Sequence, residues 1–156
     1  MPPDPTSEEI SRFVERFAAV LANSGVPTMS ARVMGRMLVS PTGTMTSAEL
    51  AEALRISQPA VSGVVRQLLQ VGFISRERIP GSRKDHYRIR DDVFTAILER
   101  RNNALGEWET TSRSGVELFG PDSPVGRRLS EAADFFAFIH QDLDQLMKNW
   151  RSERSR

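Results

Sequence analysis

The chain has 156 residues, 39% of them apolar and 26% charged, enough for one domain, or a small domain with helical extensions, to bury a core. It contains no cysteine, which excludes disulfides, thiolate metal centres and cysteine nucleophiles, and its net charge of +1 gives no overall attraction for polyanions. No apolar run approaches the ~20 residues of a membrane span, and Met1-Pro2-Pro3-Asp4-Pro5 lacks the regions of a signal peptide, so a soluble cytoplasmic protein is expected.

After Pro5, Thr6 or Ser7 caps a first helix with Glu8 and Glu9 in its opening turn. Ile10, Phe13, Val14, Phe17, Ala18 and Leu21 recur at helical spacing, and Asn23-Ser24-Gly25 with Pro27 stops the run. A second helix is expected from Ser30 to Ser40, burying Val33, Met34, Met37 and Leu38. Pro41-Thr42-Gly43 reads as a turn, and Thr44-Met45 as a very short strand. Thr46 or Ser47 opens a short third helix, from Ser47 to about Leu54, with a capping pattern in which Thr46 stands three residues before Glu49. Ser57 caps a fourth, with Pro59 in its first turn; Val61, Val64, Val65, Leu68 and Val71 form its buried face, and Gly72 ends it.

Periodicity then switches. Phe73–Ile79 reads as a strand, Pro80–Asp85 as a turn and His86–Arg90 as a return strand. Asp91 or Asp92 caps a long helix carrying Val93, Phe94, Ile97, Leu98, Leu105 and Trp108, which Gly115 or Gly120 weakens or ends. Ser123 and Pro124 open a last helix with Leu129, Ala132, Ala133, Phe136, Ile139, Leu143, Leu146, Met147 and Trp150, and Arg151 to Arg156 reads as a disordered charged tail.

Charge is distributed unevenly along this order. Residues 1–54 carry a net charge of −2 and residues 91–156 a net charge of −3. Residues 55–90 carry Arg55, Arg66, Arg76, Arg78, Arg83, Lys84, Arg88 and Arg90 against Glu77 and Asp85, a net of +6. A duplex responds to that local patch and not to the average.

A short helix, a tight turn, a second helix with a small polar face and a hairpin with a basic tip form a winged helix-turn-helix. Such a unit places its second helix in the major groove, braced by the first. With Val61, Val64, Leu68 and Val71 inward, the outer face of the reading helix holds Gln58, Ala60, Ser62, Gly63 and Arg66. Gln58 suits adenine, Ser62 donates or accepts, and Arg66 suits guanine or phosphate. The tip Pro80-Gly81-Ser82-Arg83-Lys84 would be the wing, reaching a minor groove or flanking phosphates.

Residues 29–90 resemble the MarR superfamily of winged-helix regulators, through Thr46-Ser47-Ala48-Glu49-Leu50-Ala51, Ser57-Gln58-Pro59-Ala60-Val61-Ser62 and Leu68-Leu69-Gln70-Val71-Gly72-Phe73-Ile74. Val14–Ala18, Arg32–Ser40 and Ile79–Tyr87 look closest to its GbsR-like branch; the resemblance fades after about Arg101. It implies a homodimer whose first and last helices pack together, a response to small ligands in many members, and DNA roles for Ser57, Gln58, Ser62, Gly63, Arg66, Arg83 and Lys84. One departure is that the family's reading helix more often bears polar residues where this chain has Ala60, Gly63 and Val64, so shape and phosphate contacts carry more of the binding.

The expected architecture is therefore mainly α (α+β). It comprises an N-terminal dimerisation helix (6–28), a winged helix-turn-helix with a two-stranded hairpin wing (29–91), and C-terminal dimerisation helices (92–152). The candidate DNA-binding set is Thr46, Ser47, Ser57, Gln58, Pro59, Ala60, Ser62, Gly63, Arg66, Ser82, Arg83 and Lys84. Ile10, Phe13, Phe17, Phe135, Phe136, Ile139, Leu143, Leu146 and Trp150 are the candidate dimer contacts, since Phe135, Phe136 and Phe138 cover more than one face of their helix. Phe13, Phe17 and Trp108 are the candidate lining of an effector pocket; aromatic faces suit an organic cation, the ligand class the GbsR-like resemblance implies, and plain dimer core is the alternative.

No enzyme, cofactor or metal is expected. His86 and His140 are the only imidazoles, His140 with Asp144 supplies two metal ligands without others, and there is no Gly-rich phosphate loop. The function expected is a sequence-specific duplex-DNA-binding regulator, a repressor, acting as a homodimer on an inverted repeat. The alternative is a winged-helix module that binds protein or RNA.

Overall fold

A computed structural model describes residues 4–155. Its elements run α1 (Ser7–Asn23), α2 (Thr28–Leu38), β1 (Thr44–Thr46), α3 (Ser47–Leu54), α4 (Gln58–Gln70), β2 (Ile74–Glu77), β3 (His86–Ile89), α5 (Val93–Phe119) and α6 (Pro124–Arg154). The chain divides into two compact units, one extending to Val93 and the other starting at Phe94.

In the first unit, local signals set the helix ends. Thr6 with Glu9 and Thr46 with Glu49 form complete capping boxes, each satisfying helix donors that would otherwise lack partners. The hydroxyl of Ser57 accepts from the Ala60 amide at 3.3 Å. The α3–α4 turn passes through Arg55 in the left-handed region (φ 55°, ψ 47°), the one non-glycine with positive φ among the described residues. Val14, Val33, Met34, Met37, Leu50, Val61, Leu68 and Val93 are its largest fully buried side chains. Burying each contributes about 1.5–3 kcal/mol. Arg32 on α2 ties three elements, pairing with Glu15 of α1 at 2.7 Å and donating to the Leu54 carbonyl at 3.1 Å.

The sheet has order β1-β3-β2, antiparallel throughout, with Met45 opposite Tyr87 and Arg76 also opposite Tyr87. The short strand at Thr44-Met45 thus forms and extends the hairpin into a three-stranded sheet. The hairpin strands are shorter than expected, since pairing stops at Glu77 and His86 and leaves Arg78–Asp85 as the loop. Helix α2 starts two residues before the expected Ser30 and ends at Leu38: extended Pro27 (φ −54°, ψ 135°) precedes its first turn, and Ser40–Gly43 closes a separate turn.

The second unit is an antiparallel helical hairpin. Trp108 meets Phe136 edge-on at 5.3 Å, Arg113 bridges Glu109 and Asp134, and Leu129 lies so close to Gly115 that a Cβ there would sit 2.6 Å from its Cδ1. Gly115 is therefore a packing position inside α5, and the helix ends instead before Gly120 (φ +81°). Residues 151–154, expected as disordered tail, are helical: Arg151 and Arg154 stand in the last turn, where cations complement the helix dipole, and Arg151 pairs with Glu99. Arg156 lies outside the described residues. No helix among the described residues is long and apolar enough to cross a membrane.

Candidate nucleic-acid interface

Helix α4 is two-sided. Val61, Val65 and Leu68 are buried, while Gln58, Pro59, Ala60, Ser62, Gly63, Arg66 and Gln67 are all exposed. Val65, rather than Val64 or Val71, completes the buried stripe, since those two are only half-buried. Gly63 costs the helix about 1 kcal/mol relative to alanine. The N-terminal turn bears Ser57 and Gln58 outward, with backbone amides and the positive helix end behind them.

Thr46 is 5% exposed, and its hydroxyl accepts from the Glu49 amide at 3.2 Å while the Glu49 carboxylate accepts from the Thr46 amide at 2.7 Å. That commits Thr46 to starting α3, with half-buried Ser47 as the first helical residue.

The hairpin separates its root from its tip. At the root Arg88 pairs with Glu77 at 2.6 Å, Arg76 approaches Asp85 at 3.8 Å and lies over the buried Tyr87 ring, and Arg90 pairs with Asp92 at 2.7 Å while donating to the Gly72 carbonyl at 3.1 Å. The hydrogen bond to Asp92 raises the Arg90 pKa, fixing that charge in the fold. At the tip, Ile79-Pro80-Gly81-Ser82 forms a turn, Ser82 N donating to the Ile79 carbonyl at 3.0 Å with Gly81 at φ 84°. The Ser82 hydroxyl accepts from the Lys84 amide at 3.2 Å and lies 3.0 Å from His86 Nε2, so Ser82 shapes the tip.

Three of the eight cations in residues 55–90 are thereby neutralised. Arg55, Arg66, Arg78, Arg83 and Lys84 are exposed and have no ion pair among the described residues. They stand at the helix-turn-helix elbow, on the reading helix and around the hairpin tip. Of these, Arg55 and Arg78 were not singled out in the sequence, and neither was Gln67. The signal was there in part: Gln67 follows Gly63 by one helical turn, and Arg78 lies just beyond the last strand pair, in the loop that carries the tip.

The remaining candidate residues are distributed over both units. Phe13 and Phe17 stack on α1 with centroids 5.9 Å apart, Phe13 being exposed. An open groove of about 730 Å³ in the same unit is lined by Ser7, Ile10, Arg36, Thr42, Glu49 and Arg55 among others, and by neither Phe13 nor Phe17. In the second unit Trp108, Phe135, Leu146 and Trp150 are exposed, as is Phe138, whereas Phe136, Ile139 and Leu143 are half-buried.

Comparison with known proteins agrees with this arrangement. The profile of the MarR family matches residues 37–86, and that of the MmpR5-like MarR family transcriptional regulators matches residues 92–153. The HTH-type transcriptional regulator MmpR5 of Mycobacterium tuberculosis (strain ATCC 25618 / H37Rv) is 31% identical over 132 residues, covering 84% of this chain and 80% of that protein. The HTH-type transcriptional repressor OpcR of Bacillus subtilis (strain 168) is 28% identical over 86 residues, 55% of this chain and 46% of its own length. Among solved structures, the crystal structure of a transcriptional regulator superposes with a TM-score of 0.77 at 28% identity, covering 92% of this chain and 98% of that one. A buried-faced reading helix behind a short bracing helix, an ion-paired hairpin with a free cationic tip, and matches spanning both units together make this chain a member of the MarR family of winged-helix transcriptional regulators.

Proposed function

We propose that the protein is a cytoplasmic repressor that binds an inverted-repeat operator as a homodimer, laying α4 in the major groove and the β2–β3 tip against a minor groove or flanking phosphates. The carrying observation is that the unpaired cations of the 55–90 stretch gather on the elbow, the exposed α4 face and the tip, while the others are held by acids at the hairpin root. Gln58, Ser62 and Arg66 read bases; Ser47, Ser57, Pro59, Ala60 and Gly63 shape the approach; Arg55, Arg78, Arg83 and Lys84 neutralise phosphates. Thr46 and Ser82 hold these elements in place.

Dimerisation is supported by the outward face of α6, where Phe135, Phe138 and Leu146 are each about 60% exposed and Trp150 is 49% exposed. A monomer in water gains nothing from such a patch. On α1, Ile10, Phe13 and Phe17 supply a second apolar surface. The Phe13–Phe17 stack on α1 supports an effector role for those two rings, with an organic cation as ligand. A GbsR-like character rests on the stretches Val14–Ala18, Arg32–Ser40 and Ile79–Tyr87. The role is binding, without catalysis.

Selection of duplexes from a random pool by the full-length protein, repeated at several salt concentrations, tests this. An enriched inverted repeat with half-sites about one DNA turn apart (~34 Å) and a steep salt dependence is expected. Failure to enrich any repeat would move the assignment to a protein- or RNA-binding module.

A further inference from the structure

Glycines in this fold mostly have a visible reason. A Cβ on Gly126 would strike the Gly120 carbonyl, and one on Gly115 would sit 2.6 Å from Leu129 Cδ1. Gly43, Gly72, Gly81 and Gly120 adopt positive φ, which side chains other than hydrogen disfavour. Gly63 has neither reason. It lies in the interior of α4 with helical backbone, and nothing among the described residues stands within 4 Å of where its Cβ would be. The helix would be more stable with almost any unbranched residue there, since glycine loses the most backbone freedom on folding.

Its position narrows the explanation. One turn before it stand Pro59 and Ala60, and one turn after it Arg66 and Gln67, all exposed. Gly63 is therefore the mid-point of the face that carries the longest unpaired side chains of α4. Resting on the proposed duplex-reading role of this helix, we infer that Gly63 is a specificity-determining residue: its missing side chain lets the α4 backbone seat close to the base edges of the major groove and fixes which of them Gln58, Ser62 and Arg66 reach. The partner is duplex DNA, and the demand for glycine comes from the bound state alone.

This gives opposite signs for folding and binding. Full-length Gly63→Ala and Gly63→Leu should each melt about 2–4 °C above the wild type. Binding to the duplex that the wild-type protein selects should weaken by about tenfold for Gly63→Ala and further for Gly63→Leu. The salt dependence should be unchanged, because no phosphate contact is removed. Repeating the selection with Gly63→Ala should shift base preference at positions under the middle of α4. Wild-type affinity and preference in both variants would overturn the inference. A lowered melting temperature would also overturn it, because the glycine would then serve the fold. Failure of the underlying reading looks different: the wild-type protein would itself select no duplex, or Arg66→Ala would bind as tightly as the wild type.

Discussion

His140 Nδ1 lies 2.9 Å from the main-chain oxygen of Asn102 and 3.0 Å from its side-chain oxygen, joining α6 to α5 at a point where Asn102 is only 5% exposed. Both partners are acceptors, so the proton resides on Nδ1 and the ring donates to both. Asp144, one turn further along α6, is held by Lys148 at 2.7 Å, a hydrogen bond that lowers its pKa. The i, i+4 spacing of His140 and Asp144 thus serves two separate structural contacts. Replacing His140 by alanine strips a buried amide of its donor and should cost about 1–3 kcal/mol in urea unfolding. An unchanged midpoint would show that water replaces the ring.

In the proposed docking, Arg66→Ala and the pair Arg83→Ala/Lys84→Ala remove different kinds of contact. Arg66, on the reading face, should cost about 1–3 kcal/mol of duplex affinity and relax preference at one base position. The wing pair should weaken all sequences alike and flatten the salt slope by about two per protomer. None of these exposed cations pairs with an acid among the described residues, so the melting temperatures should stay at the wild-type value. Unchanged affinity in both variants would mean that the duplex docks elsewhere.

Arg55 combines an unfavourable backbone with an unpaired charge. Left-handed geometry costs a residue with a Cβ about 1–2 kcal/mol. Arg55→Gly should therefore raise stability by up to about 1 kcal/mol after the greater freedom of glycine in the unfolded chain is counted. Duplex affinity should fall together with one unit of salt slope. Loss of stability in this variant would mean that the Arg55 side chain supports the elbow.

How far the sequence revealed this fold depended on the range of the forces involved. Thr46 with Glu49, Ser57 with Pro59, and Ser123 with Pro124 act within one helical turn, and each marked its helix start correctly. Pairing across longer separations was less visible. The charge of residues 55–90 looked uniformly available, yet Glu77 and Asp85 come within ion-pair distance of Arg88 and Arg76 only once β2 and β3 pair. The helical end of α6 likewise involves Glu99, more than fifty residues away, facing Arg151. Thr46 and Ser82 carried the right residue types for DNA contact, but their hydroxyls are used within the chain, which only the folded geometry reveals.

Acid should loosen the start of α1 before the rest of its unit. The Glu9 carboxylate accepts from the Thr6 amide and hydroxyl, both at 2.8 Å, and these bonds hold its pKa below the ordinary value of 4.5, the backbone bond having the larger effect. A carboxyl with a depressed folded pKa contributes stability that is present above its unfolded pKa and lost as pH falls through the folded one. The cap should therefore weaken progressively below pH 4.5. Carbon-detected titration of Glu9 should give a slightly higher pKa in Thr6→Val, which loses the hydroxyl donor and keeps the amide, than in the wild type; identical curves would leave the backbone bond as the sole cause.

Thr46 is both the last residue of β1 and the N-cap of α3, and β1 is hydrogen-bonded to β3. The hairpin is thus joined through a single residue to the helix that braces α4. A signal that tunes DNA affinity would have little to bend within one head. In the proposed homodimer it would act on the distance between two heads, and the influence of the proposed effector would show up as altered tolerance for half-site separation, with base preference within a half-site left untouched.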